Sequence, residues 1–312
     1  MVKVDLITGF LGSGKTTFIK NYARYLMDQG LNIGILENDF GAINVDMMLL
    51  RELEGEKCEL EMVAGGCDKD CYRRRFKTKL IAMGMCGYDR VLIEPSGIFD
   101  VDDFFDALHE EPLDRWYQIG NVITVVDAGL EENLSKEADY VLASEAANAG
   151  CVLLSKVQNV SEEQLSHTVA HINRALEAIH CPRVLNEEVI RKDWNDFTEQ
   201  DYKEISESGY LVEDYEKIYT DQDELFQTLI FMDEKLSAAR VKSATDQIFK
   251  DTSCGSVFRI KGFLKDGEQW MELNVTHRET TLRPIEAGQD VLIVIGEALN
   301  EEKIRACLKD DK

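Results

Sequence analysis

The chain has 312 residues, 44% of them apolar and 30% charged, with four prolines and a formal net charge of −24. That composition is globular, and the length is large for a single core, so two domains are expected. The negative charge argues against nucleic-acid and anionic-membrane partners, and no apolar run approaches the ~20 residues of a membrane-spanning helix.

Residues 2–8 (VKVDLIT) read as a short apolar strand. A helix follows at 16–29, with Phe18, Tyr22, Tyr25, Leu26 and Gln29 along one side and Gly30 as its stop. Further strands are expected at 31–38, 58–63, 90–94, 119–126 and 151–155, separated by helical segments. Such alternation predicts an α/β fold, a parallel sheet with helices on both faces. The helix at 161–180 opens with Ser161-Glu162-Glu163-Gln164, which resembles a capping box, and carries Leu165, Val169, Ile172, Leu176 and Ile179 as an apolar stripe. His167 and His171 read as lying opposite that stripe, either as an i, i+4 chelating pair or as part of a solvated face.

The strand–helix rhythm stops near residue 190, which bounds a first domain at 1–192. Residues 193–222, with Trp194, Phe197 and many acids, read as a connector or insertion. Residues 223–312 then read as a smaller C-terminal α+β domain. Its strands are expected at 225–231, 256–264, 270–275, 279–285 and 290–296, with helices at 234–251 and about 300–308.

Between the first strand and the first helix, Gly9-Phe10-Leu11-Gly12-Ser13-Gly14-Lys15-Thr16 matches the P-loop pattern G-x-x-x-x-G-K-[ST]. Chance supplies such a match in about 1% of chains this long. Glycines there let backbone N–H groups close around phosphates, and the helix N-terminus adds positive potential. Gly9, Gly12, Ser13, Gly14, Lys15, Thr16 and Thr17 are the expected nucleotide contacts, with Lys15 neutralising β/γ-phosphate oxygens and the Thr16 hydroxyl a ligand of Mg²⁺. Glu37-Asn38-Asp39-Phe40-Gly41 follows the second strand, where a switch loop would face the γ-phosphate, and VLIEPSG ends the strand at 90–94. Asp39 and Glu94 are therefore expected at the Mg²⁺, as catalytic residues beside Lys15, and the Gly97 amide at the γ-phosphate.

GFLGSGKTT, ENDFG, GGC, IEPSG, VITVVDA and LLSK, in this order and spacing, resemble the CobW-like GTPases, relatives of the UreG and HypB nickel-insertion GTPases. The likeness continues through VFRIKGFL and Trp270 in the smaller domain. It implies a P-loop NTPase domain with a C-terminal α+β domain, Mg²⁺-dependent GTP hydrolysis, and delivery of zinc, cobalt or nickel, or support of cobalamin chemistry. It further implies a client metalloprotein or corrinoid protein as partner; homo-oligomerisation stays open. The family's base-reading Asn-Lys-x-Asp is represented here by Ser155-Lys156-Val157-Gln158. Ser155, Lys156 and Gln158 are the implied base contacts. A neutral Gln carbonyl replaces a carboxylate that would accept from two guanine N–H groups, so selectivity for GTP over ATP should loosen.

The family usually carries Cys-x-Cys-Cys after its glycine. Here Cys67 matches, Lys69 and Asp70 replace the later cysteines, and Cys71 stands one place further on. Spacing alone is weak, because eight cysteines give about 0.2 chance pairs four apart. The basic run Arg73, Arg74, Arg75, Lys77 and Lys79, and a helix starting near residue 70, favour thiolate. Two readings stand: a transition-metal site at Cys67 and Cys71, completed by Asp68, Asp70, Cys58 or an ENDFG carboxylate, or a structural Cys71 packed inside its helix. Cysteines scattered through a large chain, behind an N-terminus without a signal-peptide layout, suggest the cytoplasm. Two other functions remain open. One is a nucleotide-dependent activator chaperone of a corrinoid or metalloenzyme that binds no metal itself; the other is a small-molecule P-loop kinase, for which no acceptor site is marked.

Overall fold

Strand β1 (Val2–Thr8) alternates its side chains between two separate cores, with Leu6 in one and Ile7 in the other. A strand buried on both faces belongs in the middle of a helix-covered parallel sheet. The computed structural model describes residues 1–10, 12–39, 45–64, 69–95, 101–186, 188–217 and 227–309. They divide into two compact units, Met1–Tyr219 and Thr220–Lys312.

In the first unit β1 is joined by β2 (Ile33–Asp39), β3 (Cys58–Ala64), β4 (Arg90–Glu94), β5 (Tyr117–Asp127), β6 (Cys151–Ser155) and β7 (Val189–Ile190). All pair in parallel, in the order β3-β2-β4-β1-β5-β6-β7. The helices are α1 (Lys15–Asp28), α2 (Val45–Leu50), α3 (Lys69–Met83), α4 (Val101–His109), α5 (Leu113–Trp116), α6 (Lys136–Ala147), α7 (Glu162–Ala178) and α8 (Glu199–Ser206). Side chains of α3, α4, α6 and α7 build the core on one face; those of α1, with Leu50 and Ile205, build the other. Phe18, Ile19, Tyr22 and Leu26 of α1 are buried, and at about 1.5–3 kcal/mol for each large apolar side chain this packing holds the helix on the sheet. The expected α/β architecture is present, with strands at the expected places.

Two local expectations need correction. Of the stretch 193–222, read as a connector or insertion, residues 193–217 are part of the first unit, as an insertion and not a free connector. Trp194 lies edge-on to Phe18, and Tyr202 of α8 stacks on Tyr25 at 5.3 Å. A capping box between Thr198 and Asp201 starts α8, whose end is tied to the sheet by Ser206 and Gly209. The acids face water while the aromatics cover α1. His171, in turn, is buried, with Nε2 2.7 Å from Asp139 Oδ1 of α6, whereas His167 is exposed. The buried arc of α7 is wider than one stripe because the helix packs on α6 as well as on the sheet, so the edge of that arc covers His171 and leaves His167 in solvent.

At the amino edge of the sheet, Asp5 is fully buried within a polar network. It accepts from Tyr22 at 2.8 Å, from Arg90 at 3.0 Å, and from the backbone and side chain of Asn121 at 3.0 and 2.8 Å. A Cβ at Gly120 would stand 2.4 Å from Asp5 Oδ1, so only glycine fits there.

The second unit comprises β8 (Gln227–Met232), α9 (Ala238–Lys250), β9 (Ser256–Asp266), β10 (Gln269–Val275), β11 (Thr280–Ile285), β12 (Val291–Glu297) and α10 (Glu301–Leu308). Its antiparallel sheet runs β11-β10-β9-β12-β8. Val241, Ala244 and Ile248 of α9, with Ile304 and Leu308 of α10, pack with Ile260, Leu264, Leu292 and Val294. Among the described residues no helix is long and apolar enough to cross a membrane.

Candidate functional site

The strand order puts the carboxyl ends of β1 to β6 along one edge, where ligands of open α/β sheets bind. The chain leaves β1 at Gly9 with φ 145°, and a Cβ there would lie 2.1 Å from Val125 O. Gly12 and Gly14 also have positive φ, at 80° and 98°. Three such glycines bend the backbone into a cradle that side-chain-bearing residues would strain. Helix α1 then begins without a side-chain cap and without an acid in its first turn, so its opening N–H groups have only a Gly14 N-cap in front of them. An uncapped, acid-free helix start behind a glycine cradle suits an anion.

Lys15 is buried and folds back so that Nζ donates to Gly9 O at 2.8 Å. The Thr16 hydroxyl donates to Glu94 Oε1 at 3.3 Å. Glu94 ends β4, and its register partner on β2 is Glu37, which is also buried. The Glu94 carboxylate beside the Thr16 hydroxyl, with Glu37 on the neighbouring strand, offers hard oxygen donors of the kind Mg²⁺ takes. Thr17 is exposed and Ser13 buried. Asp39 closes β2 in register with Ala64 of β3.

On the other side of the cradle, Lys156 donates to Asp127 Oδ2 at 2.7 Å and to Gly12 O at 3.2 Å, bracing the end of β5 against the P-loop. Ser155 ends β6, and Gln158 lies exposed in the 3-10 turn Val157–Asn159. A Cβ at Gly14 would be 3.6 Å from both Ser155 Cβ and Trp194 Cη2, so Trp194 adds an aromatic surface that the sequence reading did not assign. Its one signal was its type: a tryptophan in an acidic stretch needs a face to cover.

Cys71 lies in the first turn of α3, half-buried. Cys67 and Gly97 fall outside the described residues. Cys58 cannot join them, because it is the buried first residue of β3 and the cysteine loop leaves the far end of that seven-residue strand, about 20 Å away. Burial first, then Glu54 and Glu59, push its thiol up to about 12.

A model of the "CobW/HypB/UreG, nucleotide-binding domain" matches residues 3–180, more than half of the chain. The chain belongs to the CobW/HypB/UreG family. Among curated relatives, the "Zinc chaperone YjiA" of Escherichia coli is 28% identical over 186 residues, 55% of each chain. The "Zinc-regulated GTPase metalloprotein activator 1" of Schizosaccharomyces pombe is 26% identical over 183 residues, 55% of this chain and 44% of that one. This chain thus spans about half the length of the curated relatives it matches. Among solved structures, the hydrogenase maturation factor HypB from Archaeoglobus fulgidus covers 65% of this chain and 86% of its own, at 18% identity and a TM-score of 0.41.

One residue of this CobW-like site escaped the sequence reading altogether. Glu145 of α6 is fully buried behind the P-loop, where Oε1 accepts from the Thr8 hydroxyl at 2.7 Å and from Gly9 N–H at 3.3 Å. Its Oε2 has no hydrogen-bond partner among the described residues. Burial pushes the carboxyl up from 4.5 to about 7, against the opposing pull of Thr8, Lys15 and the Gly9 amide. Between those values the folded chain keeps a proton that the unfolded chain releases. The stability this contributes is present below 4.5 and is lost as pH rises to about 7. A rise of that size corresponds to about 3 kcal/mol. In Glu145→Gln, which cannot titrate, unfolding free energy relative to the unsubstituted chain should climb by about 3 kcal/mol across that window. Chemical denaturation at a series of pH values measures it, and a flat difference would show that Glu145 is not the proton holder.

Proposed function

We propose that this CobW-like chain hydrolyses GTP with Mg²⁺ and couples hydrolysis to holding and handing over a transition metal, zinc or cobalt before nickel, to a client metalloprotein or corrinoid protein in the cytoplasm. Gly9, Gly12, Ser13, Gly14, Lys15, Thr16 and Thr17 hold the phosphates, with Gly97 at the γ-phosphate. Thr16 and Glu94, with Asp39, hold Mg²⁺, which supplies charge neutralisation at the β- and γ-phosphate oxygens. Ser155, Lys156 and Gln158 line the base, with Trp194 alongside; the single neutral carbonyl of Gln158 leaves GTP preferred but ATP less strictly excluded.

The observation that carries the coupling is the shared edge. Asp39 and Ala64 are register partners, so β2, which ends within ENDFG, and β3, which leads into GGC, end side by side. Glu37 and Glu94 pair likewise on β2 and β4, and Glu94 accepts from the Thr16 hydroxyl. A rearrangement of the ENDFG or IEPSG segment with nucleotide state therefore reaches Cys67 and Cys71 through adjacent strand ends. The relatives' names, zinc chaperone and zinc-regulated GTPase, support the same reading.

The test is competitive titration of Zn²⁺ or Co²⁺ with GDP, with a non-hydrolysable GTP analogue, and with no nucleotide. Metal affinity should differ between nucleotide states by about 5–150-fold, and the metal must shift nucleotide affinity by the same factor. Cys67→Ser should remove the difference. Equal affinities in all three states, unchanged by Cys67→Ser, would refute metal coupling while leaving hydrolysis to be judged separately.

A further inference from the structure

The second unit brings together three donors that lie far apart along the chain. The 3-10 turn Thr252–Cys254 joins α9 to β9 and carries the buried Cys254 at its end. Asp251 caps this turn. Its Oδ1 accepts from Ser253 N–H at 2.9 Å, while Cys254 N–H donates to Asp251 O at the same distance. Asp251 and Cys254 are thus presented three residues apart on one fixed turn, the spacing with which C-x-x-C turns offer two ligands. The third donor, Cys307, projects from the buried side of α10. The start of that helix is held to the turn by Asn300 N–H donating to Cys254 O at 3.0 Å.

One ligand atom from each of Asp251, Cys254 and Cys307 falls within 4.8 Å of the other two. The two sulfurs are in hydrogen-bonding contact, and both thiols are free. In a tetrahedral zinc site, Zn–S bonds of about 2.3 Å put two sulfurs about 3.8 Å apart, so small side-chain rotations close this cluster on an ion. Asp251 also lines an open surface depression of about 660 Å³ with Lys242, Asp246 and Lys250, so the carboxylate side is reachable from solvent. The sulfur side is dry, which suits a permanent ligand pair.

We propose that Asp251, Cys254 and Cys307 form a second soft-metal site, three protein ligands with a fourth position open to water, specific to the C-terminal unit. Two thiolates and one carboxylate select a borderline ion of the zinc or cobalt class over Mg²⁺ or Ca²⁺. The site uses neither Cys67 nor Cys71 and needs no nucleotide. An open fourth position distinguishes it from a closed structural site and leaves room for an incoming ligand to take the metal.

The experiment is Co²⁺ titration of the full chain carrying Cys67→Ser and Cys71→Ser, read by thiolate-to-cobalt charge-transfer absorption and by metal content after gel filtration. One equivalent should bind, with the charge-transfer band present. Cys307→Ser should weaken binding by at least about 100-fold, the upper end of what losing a group that merely orients a ligand costs. Asp251→Asn, at the solvent side where folding is not at stake, should weaken it by about 10-fold and keep the band. Absence of a bound equivalent in the Cys67/Cys71 background, or binding indifferent to both Cys307→Ser and Asp251→Asn, would overturn the proposal. Neither result would touch the nucleotide-coupled reading, because the background already lacks its cysteines.

Discussion

Lys15→Ala should lower GTP turnover by about 10³-fold or more and leave the fold intact. Phosphoryl transfer leaves little covalent chemistry to the protein, so fixed positive charge at the transferred group is the main contribution a side chain can make. Lys15 is buried at the first position of α1, with Nζ 2.8 Å from Gly9 O, inside the cradle rather than in either apolar core. Its removal deletes a charge and one hydrogen bond without opening a cavity among apolar side chains, a stability cost of about 1 kcal/mol. Phosphate release under single-turnover conditions measures the loss, and a thermal melt run in parallel verifies the fold. Turnover within about tenfold of the unsubstituted chain would sink the catalytic assignment. The starting rate should itself be slow, since no motif in the sequence marks an arginine finger.

Arg90→Ala should destabilise the first unit by about 3–5 kcal/mol, because it strands a buried carboxylate. Asp5 is fully buried, and Arg90, at 3.0 Å, is its cationic partner in the network. Tyr22 and Asn121 also donate to Asp5, but both are neutral and cannot offset its charge. Arg90 further reaches Ser206 O at 3.4 Å, so the substitution should loosen the end of α8 as well. Urea denaturation reads the first effect, and amide exchange across 199–209 reads the second. A loss below about 1 kcal/mol would place the pair with exposed salt bridges instead.

The strands were legible because buried parallel strands are nearly continuous apolar runs, as in VKVDLIT and CVLLS, and the P-loop because its glycines and lysine have fixed spacing. What stayed hidden was set by long-range packing. α8 is short and acidic, and only Tyr25 and Phe18 of α1 explain why Phe197, Tyr202 and Trp194 lie where they do. Glu145 reads as a surface acid until α6 is seen buried along its last two turns, with Ala143, Ser144, Ala146 and Ala147 all inaccessible. That run of small residues was the available signal, since small side chains on every side of a helix mark close approach of neighbours. Cys307 follows Cys254 by 53 positions, and no sequence periodicity joins them. Gln158 was expected at the base from its motif alone, and the structure shows it exposed in the turn after β6.

The parallel ladder ends at Asp39, Ala64, Glu94, Asp127 and Ser155, the last residues of their strands. Beyond them the chain owes nothing to the register of the sheet. Substitution, insertion or a shifted cysteine in GGCDKDC therefore alters no strand pairing, and SKVQ in place of Asn-Lys-x-Asp changes one short turn. Heritable variation can rework what this edge meets while the pairing of the sheet is inherited unchanged.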